Sequence, residues 1–145
     1  MSRVRDVLGP IRILIADDHE NIRAVVRSLL QSHPRFHVCG EATNGNEAIT
    51  LAKKLRPHVI VMNISMPEKN GFDAAQFILA SSDYRPAIVI LSNHMDELLV
   101  RESKRIGAQG FVTKSEAYSN SLWLQACQKF KRGIIRRTLF RGASL

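Results

Sequence analysis

Short apolar segments alternate with longer amphipathic segments five times along the chain. Three of the apolar segments are almost continuously hydrophobic and rich in isoleucine and valine. Strands that are buried on both faces of a parallel sheet have this composition. The pattern therefore predicts five strands, near Ile11–Ala16, Phe36–Ala42, His58–Asn63, Ala87–Ser92 and Gln109–Thr113.

The intervening segments repeat apolar residues with the period of an α-helix. The clearest stripe consists of Ile22, Val25, Val26, Leu29 and Leu30, which follow the spacing i, i+3, i+4, i+7, i+8. Further stripes near 48–55, 72–79, 95–106 and 122–130 predict four more helices. Five strand–helix units in succession predict an α/β fold, an open parallel sheet with helices on both faces and right-handed crossovers.

Local signals mark where the second and third helices begin and end. Asn44, with Glu47 three residues later, is typical of a helix N-terminus. The pair Arg56-Pro57 predicts the end of that helix, because the residue before a proline is pushed out of the α region. Asn70-Gly71 predicts a tight loop before the third helix.

Polar side chains stand at or just beyond the carboxyl ends of four predicted strands. They are an acid pair, an amide, a hydroxyl and an amine: Asp17, Asp18, Asn63, Ser92 and Lys114. In open α/β sheets, ligand chemistry gathers outside the carboxyl ends of the strands. We therefore expect these side chains to share one cleft. The five histidines (His19, His33, His37, His58 and His94) show no metal-ligand spacing, so we interpret them as surface or cap residues.

These residues, together with the segments GEATNGNEAI, ISMPEKNGFDA and LSNH, resemble the response-regulator receiver domain of two-component phosphorelay signalling. The similarity is greatest to receivers whose output domains bind DNA through a helix-turn-helix. The resemblance implies a flavodoxin-like (βα)5 sheet, strand order 2-1-3-4-5. It also implies an Mg²⁺ site formed by Asp17, Asp18, position 63 and the carbonyl of Ser65. Ser92, Phe111 and Lys114 correspond to the switch and phosphate-contact residues.

The chain departs from this family at the residue that would accept the phosphoryl group, because Asn63 stands where receivers have an aspartate. A neutral amide offers no nucleophilic oxygen, so we expect no acyl phosphate at this position. The substitution also removes one negative charge from the cation site, which costs a few kcal/mol of attraction for a divalent ion at ~4 Å. Mg²⁺ binding should be weak or absent. The sequence leaves open whether the asparagine is natural, as in a pseudo-receiver, or a deliberate substitution.

Charge is concentrated in the C-terminal segment. The chain of 145 residues has a net charge of +8, and residues 129–145 contribute six basic residues and no acidic one. We divide the chain into an N-terminal extension (1–10), a receiver domain (11–132) and a basic tail (133–145). We interpret the tail as a frayed helix extension or linker, with contact to nucleic acid or a membrane surface as the alternatives. No apolar run reaches the ~20 residues of a membrane span, and we expect a cytoplasmic protein.

We therefore expect a stand-alone signalling module and no enzyme. Its expected partner is a sensor histidine kinase or another signalling protein, bound through helix 4, strand 5 and helix 5, and a homodimer is an open alternative. Two other functions also stay open: a transcription-regulator receiver without its DNA-binding domain, and nucleic-acid binding by the tail. A flavodoxin-like cofactor binder is disfavoured, because Asp17-Asp18-His19-Glu20 after the first strand would repel an anionic cofactor.

Overall fold

The computed structural model describes residues 9–119, Leu124 and the backbone of Leu139–Phe140. Its strands are β1 (Ile11–Ala16), β2 (Phe36–Ala42), β3 (Val59–Asn63), β4 (Ala87–Ser92), β5 (Gly110–Thr113) and β6 (Leu139–Phe140). Its helices are α1 (Glu20–Gln31), α2 (Gly45–Leu55), α3 (Gly71–Leu79), α4 (Glu97–Arg105) and α5 (Lys114–Ser119).

The strands form one parallel sheet in the order β2-β1-β3-β4-β5-β6. The predicted order 2-1-3-4-5 is therefore confirmed for the first five strands. Two strands start one residue later than predicted, at Val59 and Gly110. Helix α4 begins at Glu97 rather than near Met95, because Asp96 caps it by accepting a hydrogen bond from the backbone of Leu98. Most of the predicted fifth-helix stripe, 122–130, lies outside the described residues.

Strand β6 was not predicted. It pairs in parallel with β5, with Gly110 opposite Leu139 and Phe111 opposite Phe140. An edge strand carries unpaired backbone groups, and even a two-residue strand satisfies some of them. Two apolar residues among arginines are too few for an alternating pattern to be visible in the sequence, which is why the periodicity gave no signal there.

Helix termini form where the local signals predicted them. The Asn44 side chain accepts a hydrogen bond of 2.8 Å from the backbone N–H of Glu47. Asn70 accepts one of 2.9 Å from the N–H of Asp73. Helix α2 ends at Leu55, and its C-cap residue Arg56 adopts a left-handed conformation with φ 48° immediately before Pro57. These caps satisfy backbone donors that a helix leaves unpaired.

The sheet separates two hydrophobic cores, because successive side chains of a strand point to opposite faces. Ile13 and Ile15 pack with the buried face of α1, while Leu14 and Ala16 pack with α2 and α3. Leu124 belongs to the first core. Among the described residues, no helix is long and apolar enough to cross a bilayer. The main consequence for function is that all strand carboxyl ends open at one edge of the sheet.

Candidate functional site

The predicted polar residues lie at this edge. Asp17 and Asp18 follow β1, Asn63 and Ser92 are the last residues of β3 and β4, and Lys114 follows β5 directly. Four of the five are almost fully buried, with Asp17 1%, Asn63 5%, Ser92 6% and Lys114 6% exposed. Buried polar groups are costly unless they are paired, so the partners of each side chain define what the site can do.

Asp17 is the centre of the acidic side of the site. Its Oδ1 accepts a hydrogen bond of 2.9 Å from the backbone N–H of His19. Its Oδ2 is buried, accepts no hydrogen bond, and lies 3.3 Å from Nζ of Lys114. The ammonium group of Lys114 thus neutralises the most deeply buried carboxylate of the site.

His19 joins the acid pair, which the sequence analysis missed. Its Nδ1 lies 3.1 Å from Oδ1 of Asp17 and 3.2 Å from Oδ1 of Asp18. One ligand atom from each of the three residues lies within 4.8 Å of the others, a cluster that could hold a metal ion. His19 was interpreted as a surface or cap residue; it is the N-cap residue of α1, but its side chain makes no capping bond. The sequence did contain a signal for this role, because His19 directly follows the acid pair Asp17-Asp18.

Asn63 is tied into the site through its amide nitrogen. Nδ2 donates to the carbonyl oxygen of Ser65 at 2.8 Å and to Oδ1 of Asp18 at 3.4 Å. Both partners accept hydrogen bonds, so the NH₂ end of the amide must face them. These two oxygens are the ones that the sequence analysis assigned to a cation. An N–H group therefore stands where a cation would bind them.

The donor set fits Mg²⁺ only in part. Two carboxylates and a carbonyl are ligands of the kind that this hard cation takes. The NH₂ group of Asn63 is not, because it presents hydrogen atoms to Asp18 and Ser65. As arranged here, the residues do not fit the ion unless the carboxamide turns to present its oxygen.

A close backbone approach fixes the position of Asn63. The N–H of Gly71, the first residue of α3, donates to the carbonyl of Ile64 at 2.7 Å. A Cβ atom at Gly71 would lie 2.0 Å from the carbonyl oxygen of Asn63. Only glycine allows α3 to start so close to the end of β3, and this contact holds the loop that carries Ser65.

Ser92 bonds within its own loop, and Phe111 packs in the core. The Oγ of Ser92 donates to the carbonyl of His94 at 3.1 Å and accepts from the N–H of His94 at 3.3 Å. Its hydroxyl is thus occupied by its own loop. Phe111 is 0% exposed and packs in the core beneath α2, α3 and α4. Its ring is a core side chain in this structure.

Tyr118 lies close enough to the acidic side of the site to sense it. Partial burial raises the pKa of the Tyr118 phenol, and the negative charge of Asp17 raises it further. The ring is 40% exposed on α5. The phenol, which is uncharged at neutral pH even without this shift, therefore adds no negative charge near Asp17.

Comparisons with known proteins agree with this geometry. The sequence profile of the response regulator receiver domain matches residues 13–122. Chemotaxis protein CheY of Thermotoga maritima is 36% identical over 103 residues, which cover 71% of this chain and 84% of CheY. The transcriptional regulatory protein YdfI of Bacillus subtilis is 34% identical over 103 residues, 71% of this chain and 47% of YdfI.

Solved structures show the same fold. A LuxR-family two-component response regulator from Aurantimonas sp. SI85-9A1 superposes with a TM-score of 0.79 at 28% identity, covering 90% of this chain and 89% of that one. The chain spans about half of YdfI and 30% of a protein-glutamate methylesterase from Methanosarcina mazei. The match thus covers one unit of those longer proteins. The chain belongs to the response regulator receiver domain family.

Proposed function

We propose that this chain is a receiver-type signalling module that acts through protein–protein contacts and is not phosphorylated at position 63. The observation that carries the proposal is the carboxamide of Asn63 at the end of β3, where its Nδ2 bonds Ser65 and Asp18. It occupies the position that the family resemblance assigns to the phosphate-accepting aspartate.

The chemistry of the amide supports this assignment. Formation of an acyl phosphate requires a carboxylate oxygen to attack the phosphorus of a donor. The amide is neutral, its electron pair is delocalised, and its NH₂ group faces two acceptor oxygens. Lys114 is paired with Asp17 rather than with the residue at position 63. The positive charge that would contact a phosphate is therefore already engaged.

Any divalent cation in this site should bind weakly. If the carboxamide of Asn63 turned to present its oxygen, the residues that would hold Mg²⁺ are Asp17, Asp18, Asn63 and the carbonyl of Ser65. When bound, the ion would neutralise anionic oxygens at the cleft. The chain itself supplies two full negative charges there, one of which is compensated by Lys114. A cation would also have to displace the hydrogen bonds that Asn63 donates.

The face formed by α4, β5 and α5, with the loop before α4, is the proposed contact surface. Three of the large apolar side chains that are exposed in the described part of the chain lie on this face: Leu98 is 71%, Met95 42% and Tyr118 40% exposed. Large apolar side chains in water favour protein contact when they lie near one another. A sensor histidine kinase or another signalling protein in the cytoplasm is the partner we propose. A second copy of the chain is the alternative occupant.

Two alternative functions follow from specific observations. The match covers 47% of the transcriptional regulatory protein YdfI, and the first alternative is that the chain serves as the receiver part of a transcription regulator. The basic composition of residues 129–145 favours nucleic-acid binding. Nearly all of that segment lies outside the described residues. The second alternative predicts that the affinity for DNA falls steeply with ionic strength. It also predicts that this affinity is lost when residues 132–145 are deleted.

Phosphorylation by a small-molecule donor tests the proposal. The protein is incubated with acetyl phosphate and Mg²⁺, and the intact mass is measured at once. We expect no added phosphoryl group on the unmodified chain and one on the matched variant Asn63→Asp. A phosphoryl group mapped to position 63 of the unmodified chain would refute the proposal.

A further inference from the structure

A recess opens between helices α2 and α3, away from the strand ends that carry the candidate site. The start of α2 lies against the segment before α3, where the N–H of Gly45 donates to Lys69 at 3.0 Å. A Cβ at Gly45 would lie 2.2 Å from that carbonyl oxygen, so this end is tightly closed. Towards the ends of both helices, a cavity of about 290 Å³ lies over an apolar floor of Ile49, Ala52 and Ile78.

The rim of this recess carries an unusual exposed aromatic residue. Phe77 is 55% exposed although it lies beside the apolar floor. The ammonium group of Lys53 lies 5.6 Å from the centroid of its ring. Lys53 forms no ion pair with any residue in the described part of the chain. Aromatic side chains, phenylalanine among them, are enriched at protein interfaces.

A second cation is held in place at the edge of the recess. Arg56 ends α2 in the left-handed region, with φ 48°, which is costly for a residue with a Cβ atom. Its guanidinium lies 4.8 Å from the ring centroid of Tyr84, whose hydroxyl donates to Pro57 at 2.6 Å. The arginine is thus oriented before any ligand arrives, which lowers the entropic cost of binding.

The recess continues beyond Arg56. A second cavity of about 290 Å³ shares Arg56 and Tyr84 with the first and is also lined by Arg85 and His58. Against the cations Arg56 and Arg85 the lining offers one carboxylate, Asp83, which is 75% exposed and 3.5 Å from Arg56. Exposed ion pairs contribute little, so a ligand can replace this one at small cost. The two cavities together combine the apolar floor of Ile49, Ala52 and Ile78 with the basic side chains of Lys53, Arg56 and Arg85.

We propose that this α2–α3 recess binds an acidic peptide segment of a partner protein, with one apolar or aromatic anchor side chain. The anchor would lie over Ile49 and Ile78 against Phe77, and carboxylates on either side would contact Lys53, Arg56 and Arg85. Charge complementarity decides the class of occupant, because the basic residues of the rim exclude a basic segment. Two neighbouring cavities that share Arg56 and Tyr84 fit an extended chain better than one compact molecule. The proposal does not depend on position 63.

A synthetic peptide tests the proposal on the full chain. The probe is a fluorescein-labelled peptide of aspartate and glutamate residues with one central phenylalanine, and binding is followed by fluorescence anisotropy. We expect Lys53→Glu to weaken binding about tenfold, since it reverses a charge at the contact. Lys54→Glu is the matched control, because the neighbouring residue does not line the recess, and it should change affinity less than about twofold.

A second pair of variants tests the apolar lobe. Phe77→Ala should weaken binding about tenfold, as truncation of an aromatic contact does, while Phe77→Leu should retain most of the affinity. Circular dichroism checks that each variant is folded. Chemical shifts of Ala52, Phe77 and Tyr84 should move on binding.

Three results would overturn the proposal. The first is an equal loss of peptide affinity in Lys53→Glu and Lys54→Glu. The second is a peptide without phenylalanine that binds as tightly as the probe. The third is that the chain does not bind the peptide but self-associates in a way that requires Phe77. That result would assign the recess to a second copy of the chain.

Discussion

Replacing Asn63 with aspartate should make the stability of the fold depend on a divalent cation. The change puts an anionic oxygen where Nδ2 now lies, 2.8 Å from the Ser65 carbonyl oxygen and 3.4 Å from Oδ1 of Asp18. Two hydrogen bonds become repulsive contacts between oxygens. The side chain at position 63 is only 5% exposed, so water offers little relief.

The size of the effect follows from these distances. Two unit charges about 3.4 Å apart repel by about 1 kcal/mol in water and by about 5 kcal/mol at an effective dielectric constant of 20. Asp18 is 27% exposed and Lys114 lies in the same site, so a value near the lower end applies. We expect the variant to lose about 2 kcal/mol of folding free energy without a cation, which lowers Tm by roughly 5–10 °C.

A cation should reverse this loss in the variant alone. Thermal unfolding is followed by circular dichroism in EDTA and in about 10 mM Mg²⁺, a concentration that adds about 2 kcal/mol if the variant binds with a Kd near 0.5 mM. The Tm of the unmodified chain should shift by less than about 1 °C, because its site binds the ion weakly.

The double variant Asn63→Asp, Asp18→Asn is the control and should lose most of the Mg²⁺ response. An equal Mg²⁺ response of the unmodified chain and the single variant would refute the charge argument. An unchanged Tm of the single variant in EDTA would refute the repulsion argument.

Two further predictions concern buried groups. Lys114→Met should lower the free energy of unfolding, measured by chemical denaturation, by about 3 kcal/mol. The reason is that Asp17, which is 1% exposed, would be left without its cation. A change below about 0.5 kcal/mol would contradict a structural ion pair. Burial raises the pKa of Tyr84 far above its usual 10.0, so the folded state keeps a proton that the unfolded state releases. The contribution of Tyr84 to folding stability is complete below pH 10 and is lost as the pH rises above that value. Tyr84→Phe should therefore flatten the alkaline fall in stability. An equally steep fall in the variant would refute this cause.

The fold could be predicted because its signals are repetitive. Strands buried on both faces, such as Ile11–Ala16 and Ala87–Ser92, leave continuous apolar runs, and the helices between them carry a separate period. Strand β6 had no such repetition. Its two residues depend on a pairing with β5 that only the assembled sheet provides.

The residues that form the site could also be predicted, whereas the hydrogen bonds and ion pairs among them could not. Parallel strands bring their carboxyl ends to one edge, which fixes the neighbourhood of Asp17, Asn63 and Lys114. The direction of the Asn63 amide and the choice of Asp17 as the partner of Lys114 depend on differences of an ångström between competing contacts. Residue order carries no information at that scale. His19 is an intermediate case, since its adjacency to the acids was visible but its ring direction was not.

A crystal structure grown in a few millimolar Mn²⁺ (a stand-in for Mg²⁺), with anomalous data collected for the metal, shows whether the Asn63 amide keeps a divalent cation out of the site. We expect Nδ2 of Asn63 within hydrogen-bond distance of the Ser65 carbonyl and no anomalous peak between Asp17 and Asp18. The variant Asn63→Asp in the same conditions should show a peak there. A fully occupied ion bound through Oδ1 of Asn63 in the unmodified chain would refute this role of the amide.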